Sequence, residues 1–451
     1  MNLSLQLSEV HASAVVSIAG SKSETNRLLL LQALYPNIAL KNISASDDSE
    51  VMVKALATNN QQPTTNNHFI DIHHAGTAMR FLTAYFSIQE GQELVLTGSP
   101  RMKERPIQIL VDALRELGAD ISYDNAIGFP PLRIKGKKLI NSKLSIRADV
   151  SSQYISALLL IAPKLENGLH LTLEGERTSV PYIKMTLDLL NQIGVKTKFD
   201  SNIIQVFSST DNPQPTTHNP QPTTYNLQPT TITVESDWSS ASYFYSIIAL
   251  SKVGTQITLS SFKQNSLQGD SALIEIYKNF GIETTFNNDS ITLRKINLQP
   301  TTHNPQPTTY NLQPTTYNPQ PTTYNFQLNN TPDLAQTIVI TCFGLGLGCH
   351  LSGLHTLKIK ETDRLKALEN ELTKLGATVT TTEDSITLEP TISIHSNIKI
   401  ETYNDHRMAM AFAPLALLVP ITIIDAAVVS KSYPNFWIDL KSIGFQISNI
   451  E

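Results

Sequence analysis

Four stretches of the chain repeat one pattern of apolar and polar positions. Each opens with apolar residues at helical spacing that run up to a glycine: LVDALRELG at Gly118, TLDLLNQIG at Gly194, LIEIYKNFG at Gly281 and LKALENELTKLG at Gly376. Glycine adopts the left-handed backbone that closes a helix at little cost, so each run predicts a helix ending there. Alternating segments follow (ADISYDNAIGFPPLRIKG, VKTKFDSNIIQVF, ETTFNNDSITLRKI and TVTTTEDSITLEP), each reading as strand, turn and strand. A further strand then runs into a polar cluster and a second, more apolar helix: KLSIRADVSSQYISALLLIA, TITVESDWSSASYFYSIIAL, FQLNNTPDLAQTIVITCFG and IKIETYNDHRMAMAFAPLAL. Two more helix starts, GSKSETNRLLLLQAL and HAGTAMRFLTAYF, complete the series. The pattern predicts six βαβαββ-like units of about 65 residues, arranged as two pseudo-symmetric domains of three units each.

A second repeat of a different kind overlies this one. Residues 297–324 are four copies of a seven-residue word, NLQPTTHNPQPTTYNLQPTTYNPQPTTY. A shorter array fills 212–231, and a trace of it, NNQQPTTNNH, lies at 59–68. Seven residues without an apolar face cannot stack as a solenoid, which needs units of about 20 or more. Proline removes a backbone donor and favours extended, solvated chain. The arrays therefore read as disordered or polyproline-like inserts in equivalent loops, where closure entropy grows slowly with length.

Composition narrows the function classes. Only 16% of residues are charged, below the roughly 25% usual for soluble domains, partly because the arrays carry no charge. A net charge of −5 gives no global field for nucleic acid. Cys342 and Cys349 fit neither a disulfide framework nor a metal-ligand spacing, which points to a reducing cytoplasm. The first residues, MNLSLQLSEVHAS, lack the pattern of a signal peptide. No apolar run is long enough to span a bilayer.

Six polar clusters mark the points where strand becomes helix: SKSETNR, HAGTAMR, SSQY, DWSSAS, TPDLAQ and NDHR. Helix N-termini present free N–H groups and the positive end of the dipole, so they suit anions. Serine and aspartate are also ordinary N-caps. What capping does not explain is Lys22, Arg27, Arg80 and Arg407 in these clusters, since a cation there opposes the dipole unless an anion intervenes. GSPRMKERP adds Arg101, Lys103 and Arg105 around Glu104. KIKETDRL places Lys360 and Arg364 four apart, on one face if helical, with Glu361 and Asp363 as candidate caps.

These motifs, in this order, resemble the EPSP synthase (3-phosphoshikimate 1-carboxyvinyltransferase) family. The resemblance runs from about residue 13 to 437, the arrays excepted, and KETDR with NDHRMAM is its most specific part. It implies an α/β (α+β) fold, the inverse α/β barrel of the enolpyruvyl transferases, with two domains of three βαβαββ units joined by a hinge crossed twice. Matching motifs give one domain as 20–234, with an insert at 212–231. The other is 1–19 plus 235–451, with an insert at 297–328. It also implies the reaction: the enolpyruvyl group of phosphoenolpyruvate moves to the 5-hydroxyl of shikimate 3-phosphate through a tetrahedral intermediate, and phosphate leaves. Neither metal nor organic cofactor is implied, nor any nucleic-acid or membrane partner. A monomer is implied, because each site of the family lies within one chain, and the cysteines already point to the cytoplasm.

The charge count fits that chemistry. Both substrates carry a carboxylate and a phosphate, and two unit charges about 5 Å apart repel by roughly 3 kcal/mol at an effective dielectric of 20. Eight cations stand in the motifs: Lys22, Arg27, Arg80, Arg105, Lys360, Arg364, Arg407 and Lys431. By resemblance, Ser23 and Arg27 hold the shikimate carboxylate, Ser151, Ser152 and Ser179 its phosphate, and Gln153 and Tyr182 contact the ring. Arg105 and Lys431 meet the phosphate of phosphoenolpyruvate, near Gly76 and Gln153, and Lys22 lies between the ligands. Arg364 and Arg407 clamp the carboxylate as bidentate forks. Asp333, helped by Lys360, takes the 5-hydroxyl proton, and Glu361 delivers one to the methylene carbon. An acid and a base on opposite sides suit addition followed by elimination.

The chain departs from the family pattern at His74, where Asn is usual, at Phe81, where Pro often follows AGTAMR, at Thr356, where many members have Asn, and in SVPY for SKPY. Gly76 is kept, and in this family that glycine leaves room for glyphosate, so sensitivity is expected. Two rival readings remain. UDP-N-acetylglucosamine enolpyruvyl transferase shares the fold, but it lacks SKSxTNR and KETDR and carries a reactive cysteine on a mobile loop. A non-catalytic, repeat-bearing binding protein rests on the arrays alone.

Overall fold

The computed structural model describes residues 1–58, 68–149, 151–175, 177–208, 230–297 and 323–450. Most of each array lies outside them, so the expectation of extended inserts does too. The ends of the arrays are described, and they are strand. Thr230–Thr233 pairs in parallel with Ile38–Lys41, and Thr323–Gln327 with Gly348–Ser352. The boundaries at 231 and 328 therefore move inward, because the closing Thr-Thr or Thr-Tyr of the repeat word supplies the first residues of a sheet edge.

Five four-stranded sheets share one topology. In one of them His68–Asp71 runs parallel to Glu93–Thr97, which pairs antiparallel with Leu132–Lys135, which pairs antiparallel with Asp120–Tyr123. The hairpin follows the helix that ends at Gly118, where φ is 109°. Gly194, Gly281 and Gly376 also have positive φ after their helices. The sheet near the C-terminus is completed by the N-terminal strand: Asn2–Leu5 lies between Ile421–Ile423 and Ile447–Ile450. Ile38–Lys41 and Thr230–Thr233 form a sixth, two-stranded sheet from residues far apart in sequence.

Each polar cluster begins a helix that is buried nearly all round, as a helix apolar on every side must be. Leu28 to Leu31 of the helix Lys22–Leu34 are all buried, and so is almost every residue of Trp238–Leu250. Helices thus fill the interior and sheets cover it. Buried apolar residues form two clusters: one draws on Leu28 to Val234, the other on Leu3 to Ile18 and Trp238 to Phe445. Two segments cross between these lobes side by side. Ser21 donates its N–H to the Glu235 carbonyl at 2.7 Å, Asp237 to that of Ala19 at 3.2 Å, and Gly20 bridges Ser236. A Cβ on Gly20 would collide with the Asn42 carbonyl oxygen, so this crossing requires glycine.

Candidate active site

The N-termini of the six central helices open into one cleft between the lobes. Its lining includes Lys22 and Ser23, Gly76 and Thr77, Ser151 to Gln153, Asp237, Ser239 and Ser240, Pro332 and Asp333, and His406 and Arg407, which is every polar cluster of the sequence. Local capping explains part of this. Ser21, Ser151, Asp237 and Asp405 accept N–H groups from their own first turns. Ser179 does not cap; it has φ 53°, an unusual backbone for serine, and lines the cleft.

Nine cationic side chains line the cleft: the eight of the motifs and Arg101. They face four carboxylates, Asp48, Asp237, Asp333 and Glu361. One end gathers Ser23, Arg27, Arg80, Ser151, Ser152 and Ser179. The other holds Lys22, Gly76, Glu361, Arg364, His406 and Arg407, and opens past Arg105 to His74 and Lys431. Arg105, Gln153, Tyr182, Asp333 and Lys360 border both ends or the junction between them. All sixteen residues assigned by resemblance thus line adjoining pockets that share Arg105.

Several cations are already engaged. Arg27 is buried, donates to Thr186 Oγ1, Ser156 Oγ and the Ser23 carbonyl at 2.7–3.0 Å, and lies over the rings of Phe81 and Tyr182. Lys22 pairs with Asp48 at 3.2 Å and reaches the Lys431 carbonyl at 3.5 Å. Lys431 donates to the Asn404 carbonyl at 2.6 Å. Gln153 donates to Thr77 at 3.2 Å.

Arg364 is not the open fork the resemblance implies. Its Nε donates to Asp405 at 2.6 Å, Nη1 to Asp333 at 2.8 Å and Nη2 to Glu361 at 2.8 Å. Arg407 Nη2 donates to Asp333 at 3.2 Å and to Ser239 at 3.3 Å. Lys360 lies 3.6 Å from Asp333. The helix starts only at Arg364, capped by Asp363, whose side chain accepts the Lys366 N–H. Lys360 and Glu361 are therefore not on a helical face with Arg364. Glu361 is an ion-pair partner rather than a cap: the 3₁₀ turn His355–Ile359 ends at Lys360, whose backbone is extended, and the helix begins only at Arg364.

These pairings set the charge states. Burial alone would push the Asp333 carboxyl up, but Arg407, Lys360 and Arg364 outweigh it and hold it well below the usual carboxylate range. Burial likewise opposes ionisation of Glu361, and Arg364, Arg105, His406 and Lys22 reverse it. Burial lowers Lys360, although Asp333 pulls the other way. Arg80 is buried without a carboxylate partner among the described residues. Burial, and then Arg105, lowers it to about 10. The Arg105 Nε is buried with no acceptor among the described residues. Two guanidinium groups in a cleft, neither ion-paired to a carboxylate among the described residues, are a site for an anion from outside.

Sequence reasoning left five contributors unassigned. Asp237, Ser239 and His406 stood in clusters it had singled out, and they line the cleft. Asp405, wholly buried, anchors Arg364 and caps the helix that carries Arg407. Asp48 has no local signal beyond a helix start. Both cysteines are buried in the core of the second lobe, and neither lines the cleft. Among the described residues no group of histidine, cysteine and acidic side chains could hold a metal, and no helix is long and apolar enough to cross a membrane.

An inverse two-lobed barrel whose cleft presents arginines, lysines and serines at helix starts defines an enolpyruvyl-transferase-type protein, built to hold small polyanions between its lobes. The EPSP synthase (3-phosphoshikimate 1-carboxyvinyltransferase) family model matches residues 8–440. A 3-phosphoshikimate 1-carboxyvinyltransferase of Bacteroides fragilis is 43% identical over 438 residues, covering 96% of both chains. One from Haemophilus influenzae is 34% identical over 452 residues, covering 95% of this chain and 96% of that one. A solved structure of EPSP synthase from Acinetobacter baumannii superposes with a TM-score of 0.73 at 21% identity, over 99% of this chain and 100% of that one. The chain belongs to the EPSP synthase family, and its fold is that family's two-domain α/β architecture.

Proposed function

We infer that this enzyme transfers the enolpyruvyl group of phosphoenolpyruvate to the 5-hydroxyl of shikimate 3-phosphate and releases phosphate. The observation that carries the reading is the convergence of six helix starts and nine cationic side chains on one cleft in a chain of net charge −5. Two polyanions that repel each other are brought together there by fixed positive charge. The serine-rich end, with Ser23, Ser151, Ser152 and Ser179 around Arg27 and Arg80, receives shikimate 3-phosphate. Lys22, Arg105, Arg364, Arg407 and Lys431 receive phosphoenolpyruvate next to it.

Asp333 lies at the junction of the two ends, where it meets the attacking hydroxyl, and Glu361 lies on the phosphoenolpyruvate side. Asp333 accepts the hydroxyl proton and Glu361 protonates the methylene carbon, giving the tetrahedral adduct. Elimination then returns a proton from the methyl group as phosphate leaves. Shikimate 3-phosphate as acceptor, rather than a UDP-sugar, is supported by the serine cluster and by the absence of a cysteine from the cleft lining. The site draws on one chain only, so a monomer suffices.

Turnover in deuterated water tests the roles together. The product is expected to carry deuterium in its enolpyruvyl methylene. Asp333→Ala and Glu361→Ala are expected to lower turnover by about 10²–10⁴-fold, the usual contribution of a general acid or base. Product without deuterium would overturn the protonation step, and full activity in either variant would overturn its role.

A further inference from the structure

The two arginines of the carboxylate clamp differ in what holds them, and the difference singles out a residue below the cleft. This argument rests on the reading that Arg364 and Arg407 receive the carboxylate of phosphoenolpyruvate. In the structure their outward N–H groups are occupied by Asp333 and Glu361. An incoming carboxylate must take these positions, so both acids must give up an arginine partner before they can exchange protons with substrate. Whatever remains attached to each guanidinium then fixes its orientation.

For Arg364 that anchor is Asp405, fully buried, at 2.6 Å from Nε. For Arg407 two contacts remain: the Asp333 backbone carbonyl, which accepts from Nη1 at 3.3 Å, and the side-chain anchor Ser239, whose Oγ accepts from Nη2 at 3.3 Å. Ser239 in turn donates its hydroxyl proton to Oδ2 of Asp270 in a short hydrogen bond. A hydroxyl has one proton; given to Asp270, it leaves a lone pair turned toward Arg407. Asp270 is itself 2% exposed, and its Oδ1 has no hydrogen-bond partner among the described residues. A buried carboxylate left half-satisfied is costly. Burial and the nearby Asp333 raise it to about 6 despite Arg407 and the Ser239 hydrogen bond. The loop that carries it is fixed from both sides: Gln268 accepts the Trp238 N–H and donates to the Ser236 carbonyl.

We propose that Asp270 is a positioning residue: acting through Ser239, it keeps the Arg407 guanidinium in the clamp while Asp333 releases it to a substrate carboxylate.

The sign of a charge-removing substitution separates this role from simple electrostatics. Deleting a negative charge near an anion site should tighten anion binding, whereas deleting an anchor should loosen it. The probe is 2-phospholactate, which has the carboxylate and phosphate of phosphoenolpyruvate but no double bond to react. It is titrated into the full-length protein saturated with shikimate 3-phosphate. Asp270→Asn and Ser239→Ala are expected to weaken it about 10-fold, the effect of one positioned hydrogen bond to a charged group. Ser239→Thr, which keeps the hydroxyl, is expected to bind as the parent does. Asp333→Asn, which removes the competing carboxylate, is expected to bind about 3-fold tighter or better. In steady-state kinetics the Asp270→Asn change should fall on KM for phosphoenolpyruvate and spare KM for shikimate 3-phosphate.

Unchanged or tighter binding in both Asp270→Asn and Ser239→Ala would overturn the proposal, as would weaker binding in Asp333→Asn. Should Asp270→Asn fail to fold, the Ser239→Ala and Ser239→Thr pair decides alone. A parent protein that releases no phosphate from the two substrates would instead refute the functional reading beneath it.

Discussion

At Gly76 the absence of a side chain leaves the Arg105 guanidinium its place in the cleft. An added Cβ would lie 2.5 Å from Nη1 of Arg105. The guanidinium is the far end of a flexible chain, so it would shift rather than break the fold. Gly76→Ala is therefore expected to raise KM for phosphoenolpyruvate by about 10-fold, one displaced charge-assisted contact, with little change in melting temperature. With glycine in place, the purified protein is expected to be inhibited by glyphosate at micromolar concentration; inhibition only in the millimolar range would contradict this. The proposed acid and base could be named from the words TPDLAQ and KETDR, and the structure places Asp333 and Glu361 on one arginine in the cleft. The buried contacts behind Arg364 and Arg407 were not legible. The partner Asp405 lies 41 residues from Arg364, and Asp270 lies 31 from Ser239, separations that no local spacing rule reaches.

Among the elements, the helix Lys22–Leu34 couples the cleft to the hinge. It presents Lys22 and Ser23 to the cleft and buries Glu24 beside the crossing segment that holds Glu235. Burial raises Glu24 from 4.5 to about 7; Lys263 opposes this and Glu235 adds to it. A carboxyl with a raised pKa binds its proton more tightly when folded, so its contribution to stability declines as pH rises from 4.5 to about 7. The loss is about 3 kcal/mol at most. Glu24→Gln keeps the shape without the charge. It is expected to melt higher than the parent at pH near 8, about equally near 4, and to flatten the profile between; a parallel loss at all pH values would refute this. Helix starts and glycine stops were readable because caps and left-handed closures are local. Strand ends were less so. Thr230–Thr233 is a strand only because Ile38–Lys41, nearly two hundred residues earlier, offers it a partner, and the repeat word gives no sign of that.

Across the whole molecule, the lobes meet along contacts that span the cleft. Ser430 donates to Asp47 at 2.6 Å, Arg101 to the Lys360 carbonyl at 3.3 Å, and the Ser179 N–H to the Asn329 carbonyl at 3.2 Å. The six-unit plan was legible from periodicity, while the closing of one sheet by the N-terminal strand was not, since β pairing between chain ends leaves no pattern in either. The arrays are peripheral to this plan. Replacing 209–229 and 298–322 with short linkers, while keeping Thr230–Thr233 and Thr323–Gln327, is expected to leave turnover within about 2-fold, because loop length costs little. Extending either deletion into those strands is expected to lower the melting temperature. The central claim is that the cleft brings two polyanions together and joins them. The direct measurement is phosphate release by the purified protein given shikimate 3-phosphate and phosphoenolpyruvate, together and singly. Release only when both are present is the predicted result. Release from phosphoenolpyruvate alone, or none with both, would contradict it.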